Sequence, residues 1–241
     1  MTGTIALSRL EVRRSLRNRR TMFFAVLYPS ILFLMIGASA SFTVNGISGK
    51  TYYLIAMASF GALGAALTTN ANKIALERKE GWTRQLRLTA LPGSGYVVSK
   101  VIAAMATTVP AVLVVFAIGA ASGVHLAAML WVKAFLIMWV GSLTFTALGI
   151  AIGYGVPYDS VQIVSIIVYI GFSVLGGLWF PLNGFMGKLG KFSPSYQVRQ
   201  LSLDVVTRSS ISAGGLLILA AWLVGAGALA AVMYRRGVTA D

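Results

Sequence analysis

Residues 213–234 read AGGLLILAAWLVGAGALAAVMY and contain no charged side chain. A helix needs about 20 mostly apolar residues to cross the roughly 30 Å hydrocarbon core of a bilayer, so this stretch is long enough to span a membrane. Five other segments are of similar length and mostly apolar, and they cover residues 22–42, 52–71, 97–120, 126–153 and 160–180. We therefore predict an all-α polytopic membrane protein with six transmembrane helices.

The composition of the whole chain supports this prediction. Of its 241 residues, 57% are hydrophobic and only 11% are charged, whereas about 25% of the residues in an average soluble domain are charged. A soluble protein of this composition would have too little polar surface to face water. A bilayer removes the difficulty, because lipid solvates the apolar outside.

The formal net charge is +14, and the placement of the basic residues predicts how the chain is oriented. With the N-terminus inside the cell, 14 basic residues lie in inner segments and six in outer segments, which by the positive-inside rule favours both termini inside, at the inner or plasma membrane. Because these residues flank the spans, we do not predict a nucleic-acid partner. The inner residues are Arg9, Arg13, Arg14, Arg17, Arg19, Arg20, Lys73, Arg78, Lys79, Arg84, Arg87, Lys100, Arg235 and Arg236, and the outer ones are Lys50, Lys133, Lys188, Lys191, Arg199 and Arg208.

The chain divides into a basic N-terminal segment, residues 1–21, and a transmembrane domain, residues 22–241. In the first segment Ile5, Val12 and Leu16 form a narrow apolar stripe at helical spacing, although Arg9 lies close to it. This pattern predicts a helix that lies on the membrane lipids of the inner leaflet, with Arg13, Arg14 and Arg17 among its basic residues. A disordered basic tail is the alternative.

Two long segments connect predicted spans. The inner one, residues 72–96, is rich in helix formers up to Gly81, where a helix would stop. The outer one, residues 181–212, contains glycines, prolines and aromatic residues, which suit short helices that dip into the membrane and return. Non-helical backbone is tolerated at membrane depth when protein shields it, so we predict a re-entrant segment there.

No motif for catalysis or cofactor binding is present. The tripeptide Gly49-Lys50-Thr51 resembles part of a phosphate-binding loop, but such a loop requires a glycine where this chain has Val44. His125 is the only histidine and the chain has no cysteine, so we predict no metal site and no enzymatic activity. The predicted span interiors contain no ionisable residue that an ion-coupled carrier would use, and the energy source is expected in a partner.

Two pairs of glycines have the four-residue spacing that lets membrane helices approach closely. They are Gly119 with Gly123 and Gly149 with Gly153. Such pairs are also common by chance in a chain with 26 glycines, and the first pair could instead fall in an outer turn. A packing role and a chance occurrence are both left open.

Over essentially its whole length the chain resembles the ABC-2 type permeases of ABC transporters. Four features carry the resemblance, and no one of them is specific alone. They are RRSLRNRR at 13–20 before Tyr28-Pro29, ERKEGW at 77–82 followed by LRLTALP at 86–92 and Lys100, GGLWFP at 176–181, and FSP at 192–194.

The resemblance implies a permease that forms a homo- or heterodimer and binds two copies of a cytoplasmic ATPase subunit, which would bind ATP and Mg. It implies that Glu77, Arg78, Glu80, Gly81 and Arg84 couple the permease to the ATPase, with a smaller contact at Asp159. A solvated loop without such a role is the alternative. The resemblance also implies an outer gate and the start of the re-entrant helices at Gly176, Gly177, Phe180 and Pro181, and a path between two protomers lined mainly by helices two and five.

The expected function is export of an amphipathic drug, antibiotic or lipid-like compound, as in multidrug efflux. The apolar spans favour such a cargo over a highly charged one, while the direction of transport, out of the cell, is inferred from the family resemblance. Two alternatives remain: a permease for polysaccharide or lipid-linked glycan export, and, from a different class, an ion-coupled carrier.

Overall fold

Long apolar helices make up most of the protein. In a computed structural model, which describes residues 2–44, 46–82, 85 and 93–240, five helices are long and apolar enough to cross a membrane. They are α3 (Gly49–Lys79), α4 (Gly93–Ala121), α5 (Ala128–Gly155), α6 (Tyr158–Leu175) and α9 (Ala213–Ala240). The prediction of a helical, multi-pass membrane protein is therefore confirmed.

The N-terminal part contains two further helices. Helix α1 covers Thr2–Arg17, and residues 19–37 form α2, whose parts Phe23–Leu27 and Phe33–Gly37 are π-helical. Pro29 has no N–H to donate to the carbonyl of Ala25, which is a physical reason for the irregular winding. The apolar part of α2, Phe23–Gly37, is shorter than the five long helices, so the sixth span remains a prediction.

A small hairpin joins α2 to α3 and is an exception to the predicted all-α fold. Its antiparallel strands are β1 (Thr43–Val44) and β2 (Ile47–Ser48). The Ser48 hydroxyl accepts a hydrogen bond from the Thr51 N–H at 3.2 Å and so caps the start of α3. The hairpin thus fixes where the central helix begins.

Helix α3 lies at the centre of the bundle. Of its most apolar stretch 89% is buried, compared with 17% for α6 and 11% for α9. Gly149 and Gly153 of α5 lie against its backbone, because an ideal Cβ at Gly149 would be 2.5 Å from the Leu67 carbonyl oxygen and one at Gly153 would be 3.0 Å from that of Ala71. The packing role of this glycine pair is confirmed. Gly123, by contrast, lies in the turn after α4 with a φ of +89°.

The segment predicted as re-entrant contains two short helices, α7 (Gly184–Gly190) and α8 (Pro194–Val206). Most residues of α8 are buried, and it packs against α3, α5 and α9. Gly141 of α5 permits close approach, since a Cβ there would be 2.5 Å from a methyl carbon of Val198. The short helices are as predicted, while their depth in the membrane remains a prediction.

Candidate functional site

The bundle has two ends, which carry different side chains. At the first, called the basic end, α3, α5 and α9 end, α4 and α6 begin, and α1 packs along α4. At the second, called the aromatic end, lie the segment 176–181 and helices α7 and α8. The predicted coupling residues belong to the basic end and the predicted gate residues to the aromatic end.

Helix α1 turns its polar side, not its apolar stripe, toward the bundle. Ser8, Glu11 and Ser15 are buried, whereas Ile5 is 67% exposed and Leu16 is 41% exposed. Arg13, Arg14 and Arg17 are also exposed. The apolar stripe and the arginines are thus free to face membrane lipid, although the placement of α1 on the leaflet remains a prediction.

Glu11 belongs to a buried cluster of four charged side chains that joins three helices. Its carboxylate pairs with Lys73 of α3 and lies 3.0 Å from Nζ of Lys100 on α4. The same ammonium lies 2.6 Å from Oε1 of Glu77, whose Oε2 accepts a hydrogen bond from the Tyr96 hydroxyl at 2.5 Å. The cluster is charge-balanced, with two carboxylates and two ammonium groups.

This cluster corrects the expectation that the span interiors hold no ionisable residue. Lys100 lies within the predicted third span and is 0% exposed, and Glu77 is buried at the end of α3. Such burial is tolerated because each charge has an opposite partner, which offsets the large cost of taking it out of water. Sequence reasoning missed Glu11, the member that brings α1 into the cluster.

The environment of Glu11 keeps it ionised. Burial by itself raises the pKa of a carboxyl group, but the nearby ammonium groups of Lys100 and Lys73 outweigh that effect and hold the pKa of Glu11 below its ordinary value. A carboxyl whose pKa is lowered by folding contributes stability that is lost only when the pH falls through that lowered value. At neutral pH the Glu11 carboxylate is therefore charged and able to pair with both ammonium groups.

Two of the predicted coupling residues make contacts inside the protein. The Glu77 carboxylate is occupied by Lys100 and Tyr96. Nη1 of Arg78 donates to the carbonyl oxygens of Gly153 at 3.1 Å and Tyr154 at 2.7 Å, where α5 ends. A cation at the C-terminal end of a helix compensates its unpaired carbonyls and its dipole. These two residues thus fix the geometry of the basic end.

Other predicted coupling residues lie on its surface. Glu80 is exposed at the end of α3, and Gly81 follows with a φ of +70°, a conformation that favours glycine after a helix. The side chain of Asp159 is 88% exposed and lies 3.7 Å from Nζ of Lys79, which also lies 4.1 Å from the ring centroid of Tyr158. The end of α3 and the α5–α6 turn therefore form one surface. Arg84 lies outside the described residues.

At the aromatic end, the predicted gate is a tight turn held by side chains from α3. Gly177 has a φ of +66°, and its carbonyl accepts a hydrogen bond from the Tyr52 hydroxyl at 2.6 Å. The Tyr53 hydroxyl donates to the Trp179 carbonyl at 3.2 Å. The carbonyl of Gly176 is bound from another helix, as described next, while Phe180 is exposed and Pro181 half-buried.

Arg199 of α8, one of the predicted outer basic residues, lies inside the protein at this end. It is buried, its Nε–H donates to the Gly176 carbonyl at 2.9 Å, and its guanidinium lies 5.0 Å from the Tyr52 ring and 4.8 Å from the Tyr196 ring. Two aromatic faces can stabilise a cation away from water. The side chain thereby connects α8 to the turn.

These features define a class of protein: a multi-pass membrane protein with linked helices at one end and a tight glycine turn at the other. The family model for ABC-2 type transporters matches residues 2–206, and the chain belongs to that family. It is similar to a protein of Bacillus subtilis (strain 168) named "Putative transport permease YvfS", with 26% identity over 219 residues, 89% of each chain. The chain is thus the membrane subunit of a transporter, in a family that generally works with an ABC ATPase.

Proposed function

We propose that this chain is the permease subunit of an ABC exporter, which moves an amphipathic drug, antibiotic or lipid-like compound out of the cell. A separate ATPase subunit would bind ATP and Mg and hydrolyse the nucleotide. The observation that carries the proposal is the basic end, where exposed Glu80 and Asp159 share one surface and the helices behind it are joined by Arg78 and the buried charge cluster. A force applied to such a surface would move several spans together.

The distribution of charge supports an amphipathic cargo. Within the described part of the chain, the buried charged side chains lie toward the two ends: Glu11, Glu77 and Lys100 at the basic end and Arg199 at the aromatic end. The described stretches between them hold no buried charged side chain, so a highly charged cargo would meet a large desolvation cost.

The proposed assembly has two permease subunits and two ATPase subunits, with both termini of this chain inside the cell. A second copy of this chain would pack against α6, because one side of this helix is exposed and apolar. That side carries Ile163, Ile167 and Ile170. Helix α3 is enclosed by its own bundle, so a path between protomers would meet α6 before α3.

One observation favours an ion-coupled carrier instead. Buried carboxylates in a membrane protein often relay protons, and Glu11 and Glu77 are buried carboxylates. Both are paired with ammonium groups at one end of the bundle, which fits a structural role better than a relay across the membrane.

Everted membrane vesicles distinguish the two functions. The test measures uptake of fluorescent amphiphiles and labelled phospholipids into vesicles from cells that express the chain with its ATPase, or the chain alone. We expect uptake that requires ATP, persists when a protonophore collapses the ion gradient, and is absent without the ATPase. Uptake that needs no ATP and stops with the protonophore would overturn the proposal in favour of a carrier.

A further inference from the structure

Between α5 and α9, where the Trp222 ring lies 5.4 Å from the Phe172 ring of α6, runs a groove. We propose that it binds one acyl chain of an anionic phospholipid whose headgroup lies at the aromatic end. The groove has a volume of about 330 Å³, at the lower end of the roughly 300–1,000 Å³ typical of small-molecule sites. Its lining is almost entirely apolar and consists of Leu148, Ala221, Trp222, Gly225, Ala226 and Leu229.

The groove exists because small residues follow one side of α9. An ideal Cβ at Gly225 would have no atom within 4 Å, so the missing side chain leaves open space. With a rise of 1.5 Å per residue, the lining residues from position 221 to 229 extend over about 12 Å along the membrane-spanning helix. A flexible hydrocarbon chain fits such a narrow apolar trough, since burying it removes apolar surface without leaving a polar group unpaired.

At the aromatic end of the bundle, the groove adjoins a surface of lysine and aromatic side chains. The Trp222 Nε1–H donates to the Phe192 carbonyl at 2.7 Å, and Lys191 precedes Phe192 in the chain. Lys188 and Lys191 are exposed, as are the rings of Phe185 and Phe192. Aromatic and lysine side chains gather at the headgroup level of membranes. A lipid whose tail occupies the groove would place its phosphate near these ammonium groups.

The positive charge of the exposed lysines indicates that the bound lipid has an anionic headgroup. Two exposed ammonium groups favour phosphatidylglycerol over a zwitterionic lipid by electrostatic attraction. The inference concerns binding by this chain alone, so it does not depend on the partner ATPase or on the direction of transport.

Tryptophan quenching by brominated phospholipids tests the site. The purified chain is reconstituted in vesicles of unbrominated phosphatidylcholine with small, increasing fractions of phosphatidylglycerol brominated on its acyl chains. We expect a saturable component of quenching that is absent in Trp222→Phe. That component should fall at least twofold in Gly225→Leu, which fills the groove.

Gly227→Leu is the matched control, because Gly227 lies on the same helix, also has open space at its Cβ, and does not line the groove. Its tryptophan fluorescence should be quenched as strongly as that of the wild type. Equal quenching in the Gly225→Leu and Gly227→Leu variants would overturn the site.

The headgroup is tested with the double variant Lys188→Gln and Lys191→Gln. It should show no preference for brominated phosphatidylglycerol over brominated phosphatidylcholine, and a wild type without that preference would overturn the headgroup assignment. A changed oligomeric state of Gly225→Leu in native mass spectrometry would assign the groove to a second copy and overturn lipid binding.

Discussion

Replacement of Lys100 by methionine is expected to lower the free energy of unfolding by about 3–5 kcal/mol, the range found when one partner of a buried ion pair is removed. Methionine keeps the length and apolar stem of the side chain. It leaves Glu77 and Glu11 buried, with Lys73 as the remaining ammonium group of the cluster. Helix α1 would therefore lose much of its attachment along with the stability of the bundle.

The measurement is unfolding of the purified chain in mixed micelles with increasing sodium dodecyl sulfate. Lys133→Met is the control, because Lys133 is an exposed lysine on α5 and its replacement should change the free energy of unfolding by no more than about 0.5 kcal/mol. If the two variants unfold at the same detergent fraction, the cluster does not hold the helices together.

Reversal of the exposed acidic charges of Glu80 and Asp159 is expected to weaken association with the ATPase at least tenfold, about 1.4 kcal/mol or more. The variant is Glu80→Arg with Asp159→Arg, and the measurements are ATPase co-purification and the stimulation of its hydrolysis by the permease. Unlike-charge contacts across an interface become repulsive when one side is reversed. Folding should be unchanged, because the exposed pair of Asp159 with Lys79 is of a kind that contributes only about 0.2–1 kcal/mol.

Arg208→Glu is the matched control for that variant. Arg208 is exposed at the aromatic end, so its reversal tests whether a charge reversal on the opposite side of the bundle also weakens association. Normal association in the control and in the double variant alike would refute the coupling role of Glu80 and Asp159.

Hydropathy predicted the long spans well because their sequence has to satisfy lipid, a local requirement that each segment meets by itself. The first span was less predictable. Its apolar composition extends to Phe42, but the helical stretch ends at Gly37 and a hairpin follows. Pro29 gave a signal of irregular winding within this segment, whereas nothing in the composition marked the hairpin.

The buried polar contacts depended on neighbours distant in sequence. Ser8, Glu11 and Ser15 are spaced so that they share one side of α1, and this polar stripe was the signal that could have predicted a buried partner surface. The partners, Lys73 and Lys100, could not be identified from it. Arg199 is a similar case, because only the packing of α8 against the Gly176–Gly177 turn shows that this arginine is buried.

The predicted coupling residues divide in a way that the family resemblance did not anticipate. Glu77 and Arg78 are close to Glu80 and Gly81 in sequence, yet the first two bind other parts of the same chain, Glu80 is exposed and Gly81 is half-buried. Glu77 and Arg78 lie in the last turn of α3, whereas Glu80 and Gly81 follow its end, where Gly81 turns the chain with a φ of +70°.

Cross-linking from a single cysteine tests the central proposal most directly, because the natural chain contains none. One cysteine replaces Glu80 at the basic end and, in a second protein, Arg208 at the aromatic end, and each is treated with a short bifunctional maleimide in membranes that also contain the ATPase. The account predicts a covalent product with the ATPase from position 80 and none from position 208. A product from position 208 alone would contradict it.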